Sequence, residues 1–327
     1  MKETILVTGA AGFIGFHASQ KLMASGFRVL GVDNLNDYYT PALKQARLNV
    51  LKAQPNFEFS ELDISDHDAL FRATEGTSLT HILHLAAQAG VRYSLENPRA
   101  YVDSNIVGHL NILELARHTP GLKHLAYASS SSVYGDRDGG PFHENDSVRK
   151  PASLYAATKL GGEMMAESYA SLYGIPQTGL RFFTVYGAWG RPDMAYFIFT
   201  DRILNDQPIT LFAPDKMRRD FTFVGDIVRI LPTLMRMPPK TGHAIYNLGN
   251  NNPNTLMELV VAVEEACGRE AKNKIILPKQ AGDVSNTYAN VDAAGRDFGF
   301  APSTPLSEGV PKFVDWYREN WTAILAK

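Results

Sequence analysis

Thr8-Gly9-Ala10-Ala11-Gly12-Phe13-Ile14-Gly15 leaves the β-branched run Thr4–Thr8 and opens a helix-length segment. Glycines in the pattern G-x-x-G-x-x-G let the chain turn tightly, bring its backbone close to a pyrophosphate and pack helix against strand. A helix N-terminus placed there adds unpaired N–H groups and the positive end of the helix dipole, which suit an anion. Gly9, Gly12, Phe13, Ile14 and Gly15 are therefore the first candidate ligands, for a dinucleotide.

Working outward, the N-terminal half repeats this unit. Strand-like runs at Thr4–Thr8, Arg28–Asp33, Phe57–Asp63, His81–Ala86, His124–Ser129 and Gln177–Phe183 alternate with amphipathic stretches at Gly15–Ser25, Ala69–Thr74, Tyr101–His118 and Leu154–Tyr173. Near-continuous apolar strands separated by helices predict a parallel sheet covered on both faces, the doubly wound α/β (Rossmann) arrangement. The rhythm changes after Tyr186, and short strands, Asn/Pro turns and helices predict a smaller C-terminal α/β lobe. The expected division is residues 1–180 with 221–250 for the dinucleotide domain, and 181–220 with 251–327 for the substrate lobe. A closing helix is expected with Thr304 as N-cap and Pro305 at its first position.

Composition narrows the function classes. Lys+Arg total 32 against Asp+Glu 34 in 327 residues, so no charge excess favours nucleic acid or an anionic membrane. No segment reaches the roughly 20 apolar residues of a membrane helix, and a cytoplasmic protein is expected. The single cysteine, Cys267, makes neither an internal disulfide nor a multi-cysteine metal site, and no metal is expected. It sits in a predicted helix ending at Gly268.

Two acids lie in register with the glycine turn. Asp33 ends the second strand, 18 residues after Gly15, where a carboxylate accepts bonds from ribose hydroxyls and repels a 2′-phosphate, favouring NAD over NADP. Asp63 closes the third strand, where an acid meets either an adenine amine or the cap of the next helix. Tyr155 and Lys159, four apart, share a helix face. A tyrosine with a pKa near 10 works as a base only where positive charge favours its phenolate, and a neighbouring ammonium and a positive nicotinamide ring both supply that. Ser129-Ser130-Ser131-Ser132 sits at the C-terminal edge of the fifth strand, where ligands bind in such sheets.

With Thr8–Gly15, Asp33, Asp63, Leu85-Ala86-Ala87, Asn105, the serine run, Tyr155/Lys159 and Arg219-Asp220-Phe221, the chain resembles the extended short-chain dehydrogenase/reductase family over essentially its whole length. The resemblance implies Ser130, Tyr155 and Lys159 as the catalytic trio. Around NAD it implies Asn34, Asn36, Ile64, Leu85, Ala86, Ala87, Gln88, Asn105 and Phe182. Toward a UDP-sugar it implies Gln88, Ser131, Ser132, Thr184, Arg191, Arg219 and Asp283. It further implies a homodimer paired through the helices at Tyr101–His118 and Leu154–Tyr173.

Dehydratases and decarboxylases of the family carry an acid just before Val-Tyr-Gly, as elimination requires. Here Ser131 and Ser132 stand there instead, which leaves reversible oxidation at C4. The strings Asp33–Tyr39, Ala86–Ser94, Leu180–Gly187 and Trp189–Ala195 resemble the branch that epimerises UDP-glucuronate at C4. That branch oxidises its substrate to a β-keto acid, and the neutral hydroxyls of Ser131, Ser132 and Thr184 suit the restraint of a carboxylate prone to leave as CO2. Two residues depart from the pattern: Ala188 stands where proline is expected and Gln280 where many relatives place arginine. A neutral-sugar UDP-hexose 4-epimerase, a UDP-uronate decarboxylase and a silent NAD-binding sensor are the competing readings.

Overall fold

The computed structural model describes residues 3–137, 139–214, 217–278 and 286–326. From the N-terminus, β1 (Thr4–Thr8), α1 (Phe13–Ala24), β2 (Arg28–Asp33), α2 (Pro41–Lys52), β3 (Phe57–Glu61), α3 (His67–Thr74) and β4 (Leu79–His84) alternate. Two short helices, α4 (Tyr93–Glu96) and α5 (Pro98–Val102), lead through a π turn at Asp103–Val107 into α6 (Gly108–Arg117). Next come β5 (His124–Ser130), a 3₁₀ turn at Ser131–Tyr134, α7 (Leu154–Tyr173) and β6 (Gln177–Phe182). The remainder contains β7 (Thr184–Tyr186), α8 (Ala195–Leu204), β8 (Ile209–Phe212), β9 (Arg218–Phe223), α9 (Val224–Arg236) and β10 (His243–Leu248). It closes with β11 (Pro253–Thr255), α10 (Leu256–Cys267), β12 (Lys274–Leu277), α11 (Asp292–Phe298) and α12 (Leu306–Leu325).

Seven strands form one parallel sheet in the order β10-β6-β5-β4-β1-β2-β3. Alternation of side chains between two covered faces explains why Ile5, Leu6 and Val7 of β1 are all apolar. Ile5 and Val7 join the core with Phe16 of α1 and Leu231 of α9, whereas Leu6 joins the opposite core with Leu70 of α3 and Leu113 of α6. Connections run one way from β1 to β3 and the other way from β4 to β10. The crevice at the strand ends between β1 and β4 is thus the topological switch point, where such sheets bind ligands.

A third core, rich in aromatic rings, joins α2, α8, α10 and α12. Tyr196 meets Phe313 edge-on at 4.8 Å and Phe197 meets Trp321 at 4.7 Å. Helix α10 starts with a capping box between Thr255 and Glu258 and ends at left-handed Gly268, as the glycine signal predicted. Cys267 is buried there, and burial pushes its thiol up to about 11.

Local expectations differ from the structure at three places. Tyr101–His118 is not one helix: Asn97-Pro98 starts α5, and the π turn follows before α6. The closing helix begins one residue late, with Pro305 as its cap, and the Thr304 amide before it donates to Asp226 Oδ2 at 3.0 Å. Helix α2 is absent from the expected elements, although Pro41 after Thr40 is a start signal.

Candidate active site

Gly9 holds φ +70°, a conformation that favours glycine, and a Cβ there would lie 2.8 Å from the Ala86 amide nitrogen. A Cβ on Gly15 would lie 2.0 Å from the Gly9 carbonyl oxygen. The first and third glycines are therefore demanded by the turn's packing on itself and on the β4 loop. Gly12 caps α1 without bringing a side-chain acceptor, so the first-turn N–H groups remain for an anion. Phe13, Ile14 and Gly15 of that turn line the cleft.

Asp33 reaches the same cleft from β2 and holds the turn in place. Its Oδ2 accepts from the Ala11 amide at 3.1 Å and its Oδ1 from the Leu35 amide at 2.9 Å. Burial raises its pKa, against the charge of Lys44 and these two bonds. Lys44 of α2 lines the cleft beside it and donates to the carbonyl and the side-chain Oδ1 of Asn36, both at 2.7 Å. Asp63 lies on the wall, where Asn34 Nδ2 donates to it at 2.7 Å and the Ser65 amide at 2.8 Å. It caps no helix; Asp66 does that for α3. These residues can hold a dinucleotide: glycine backbone and uncapped amides for its pyrophosphate, and a carboxylate for its ribose.

The catalytic candidates line the far end of the cleft. Ser130 is the last residue of β5; its Oγ donates to Ser132 Oγ at 3.1 Å and lies near enough to Tyr155 to favour the phenolate. Ser153 caps α7 by accepting from the Ala156 amide at 3.1 Å, which fixes the turn carrying Tyr155. Lys159, one turn on, donates to the Ala128 carbonyl at 2.9 Å. Burial lowers its pKa to about 8, against the raising influence of Glu163.

Burial also raises Tyr155, and what opposes it is the nearby Ser130 hydroxyl and the positive charge of Arg191. Arg191 is thus a source of positive charge near the phenol that sequence reasoning did not assign. Arg191, expected as a substrate ligand, lies on the wall and within electrostatic reach of the base.

Behind the trio, Glu163 accepts from Ser129 and takes a two-pronged bond from Arg181, at 2.8 Å on each oxygen. Arg181 Nη1 also donates to the Tyr134 hydroxyl at 2.9 Å. This buried pair braces the serine edge from the side away from the cleft.

Leu85, Ala86, Ala87, Gln88, Asn34, Asn36, Ile64 and Phe182 line the cleft as well. Five expected ligands do not. Asn105 sits behind the wall on the π turn, accepting from the Gln88 amide at 2.8 Å and donating to its carbonyl and to Thr158, both at 3.1 Å. Both ends of its side chain are thus committed to holding the β4 loop against α7.

Ser131 and Ser132 lie on the 3₁₀ turn beyond the wall, and the Ser132 amide donates to Ser130 Oγ at 3.2 Å. Thr184 is the first residue of β7 and stands between Phe183 and Val185, which line the cleft, without being part of the wall itself. Arg219 lies on β9, where Asp220 is buried under bonds from Thr222, Asn250, Asn251 and Ala289. Asp283 and Gln280 lie outside the described residues.

Sequence reasoning missed Tyr38, Tyr39, Lys44, Ser104 and Met194 on the wall. The helix-start signal at Thr40-Pro41 was the available clue to Lys44.

The model of the NAD-dependent epimerase/dehydratase family matches residues 5–249. UDP-glucuronate 4-epimerase 6 of Arabidopsis thaliana is 47% identical over 328 residues, which cover 96% of this chain and 71% of that protein. A crystal structure of the Bacillus cereus UDP-glucuronic acid 4-epimerase, in complex with UDP-glucuronic acid and NAD, matches with a TM-score of 0.89 at 32% identity, over 97% of this chain and 99% of that one. The Thermotoga maritima UDP-glucose 4-epimerase, with UDP-glucose, matches with a TM-score of 0.88 at 30% identity and the same coverage.

Proposed function

Because the chain belongs to the NAD-dependent epimerase/dehydratase family, we propose that it interconverts UDP-glucuronate and UDP-galacturonate. It is an NAD-dependent isomerase that epimerises UDP-sugars at C4. The uronate, and the role of each residue, are the proposed part. The observation that carries the reading is one continuous wall joining the glycine turn, Asp33, Ser130, Tyr155, Lys159 and Arg191.

Ser130 holds the C4 hydroxyl, and Tyr155 takes its proton. When bound, NAD accepts the C4 hydride and later returns it. Lys159 holds the ribose beside the ring, and Asp33 holds the adenosine ribose and disfavours a 2′-phosphate. The 4-keto sugar then turns over, and Tyr155 gives its proton back to the oxygen on the inverted carbon. Turning requires a weakly held sugar and a firmly held UDP, and Arg219 with Asp283 on the 181–220 and 251–327 lobe serves the latter.

Decarboxylation is the hazard for a uronate, because a C4 ketone is β to the carboxylate. Ser131 and Ser132, on the turn just after Ser130, and Thr184, between the wall residues Phe183 and Val185, are the neutral donors nearest at hand for that carboxylate, and no acid stands before Val133-Tyr134-Gly135 to promote elimination. Exposed apolar side chains at Val107 and Leu110 on one helix run and Met164, Leu172 and Tyr173 on α7 support a homodimer. Among the described residues no helix is long and apolar enough to cross a membrane. The buried lone thiol suits the cytoplasm we propose.

NMR of UDP-glucuronate incubated with enzyme and NAD tests the substrate. UDP-galacturonate should appear, and it should be missing with Tyr155→Phe, a variant that retains NAD and loses at least about 100-fold in turnover. UDP-pentose as the main product would replace the reading with a decarboxylase. Turnover of UDP-glucose alone would replace the uronate with a neutral sugar.

A further inference from the structure

Arg191 lines the cleft beside the base, yet its guanidinium is not left to the substrate alone. Nε donates to Asp193 Oδ1 at 2.9 Å and Nη2 to Oδ2 at 2.5 Å, a planar two-pronged pair. Oδ2 accepts a further bond from the Tyr38 hydroxyl at 3.0 Å. Tyr38 comes from the loop after β2, more than 150 residues away in sequence, and the Arg191 guanidinium lies 5.8 Å from its ring centroid. Tyr38 is a cleft residue, whereas Asp193 stands off the wall. Nη1 of Arg191 has no hydrogen-bond partner among the described residues, so one edge of the fork is fixed by protein and the other remains for a ligand.

We infer that Asp193, held by Tyr38, is a positioning residue that fixes Arg191 and tempers its grip on the anionic part of the sugar nucleotide. The physical argument is charge balance. A guanidinium at the edge of a low-dielectric cleft holds a carboxylate or phosphate tightly, and a carboxylate already bound to its other edge cancels much of that attraction. An epimerase needs this restraint. Its oxidised sugar must leave one orientation and adopt another, so a cation that bound it firmly would lower KM at the expense of kcat.

Asp193 keeps its own charge for the task. Burial works to raise its pKa, but Arg191 and the bonds from Arg191 and Tyr38 leave it below the usual carboxylate value. The inference rests on the UDP-sugar reading for its ligand and not on which sugar is carried.

Replacing Asp193 with Asn preserves size and an acceptor for Tyr38 and removes the counter-charge. The holoenzyme with Asp193→Asn should show KM for the UDP-sugar lowered about five- to tenfold and kcat lowered by a similar factor. Asp193→Glu, which retains the charge, should stay within about twofold of wild type in both. Equal melting temperatures for the three proteins establish that the variants are folded.

Titrating the Asn holoenzyme with UDP and with UDP-glucuronate identifies the anion: tightening for both points to the diphosphate, and tightening for UDP-glucuronate alone to its carboxylate. A raised KM in a folded Asn variant, or unchanged constants, overturns the inference. The UDP titration remains decisive even if UDP-glucuronate proves not to be turned over, so the two readings fail separately.

Discussion

Lys159 shows how far a functional side chain departs from what stability would select. Burial holds its pKa at about 8 rather than the ordinary 10.5. A lysine with a depressed folded pKa costs stability while it is protonated in the fold. That cost is full below about pH 8 and disappears as pH rises from 8 to 10.5, where the unfolded chain loses its proton too. Each pKa unit corresponds to about 1.4 kcal/mol, partly offset by the bond to Ala128, so Lys159→Met should stabilise the protein by about 1–3 kcal/mol at pH 7. The same variant should be inactive, and its stability advantage should shrink above pH 8. Urea unfolding at pH 7 and pH 10 measures both; a variant less stable than wild type at pH 7 would mean that the buried ammonium is well compensated.

Among the elements, α7 carries the chemistry, and its first turn is the vulnerable part. Tyr155 is the second helical residue, two after the Ser153 cap, so fraying there moves the base directly. Removing a serine cap costs about 1 kcal/mol of helix stability. Ser153→Ala should therefore lower stability by about that amount and reduce kcat, with KM little changed, whereas Ser153→Asp should restore both. Steady-state kinetics alongside thermal melts decide it. Stability lost without any loss of kcat would show that packing against β5, and not the cap, places Tyr155. The glycine turn behaves differently, because at Gly9 and Gly15 the conflict is with backbone atoms that have no room to retreat.

For the molecule as a whole, the buried histidines set the acid limit. Burial lowers His17, His81 and His124 to about 4 and His109 to about 3, and it drives His84 down as well. Groups neutral in the fold but protonated in the unfolded chain leave stability intact above pH 6.5 and erode it as pH falls from 6.5 toward 4. Each histidine contributes up to about 1.4 kcal/mol per pH unit in that window. His124, whose two nitrogens bond Met235 O at 3.2 Å and Thr178 Oγ1 at 2.8 Å, is the clearest single test. The melting temperature should be level from pH 8 to 6.5 and fall steeply below it, and His124→Asn should flatten the fall. A midpoint unchanged down to pH 5 would mean that these rings accept protons within the fold.

Sequence by itself determined what depends on spacing along one element. The strand–turn–helix run Thr8–Gly15 and the four-residue step from Tyr155 to Lys159 follow from backbone geometry. So do the helix stop at Gly268 and the parallel, doubly covered sheet, since near neighbours in sequence remain near neighbours in space. Tertiary structure alone decided which side chains meet across the fold. It set Asn105 behind the wall and carried Arg191 toward Tyr155. It also joined Tyr38 to Asp193 across 155 residues of chain. Contacts of that kind arise from how three cores pack against one sheet, and residue spacing carries no record of them.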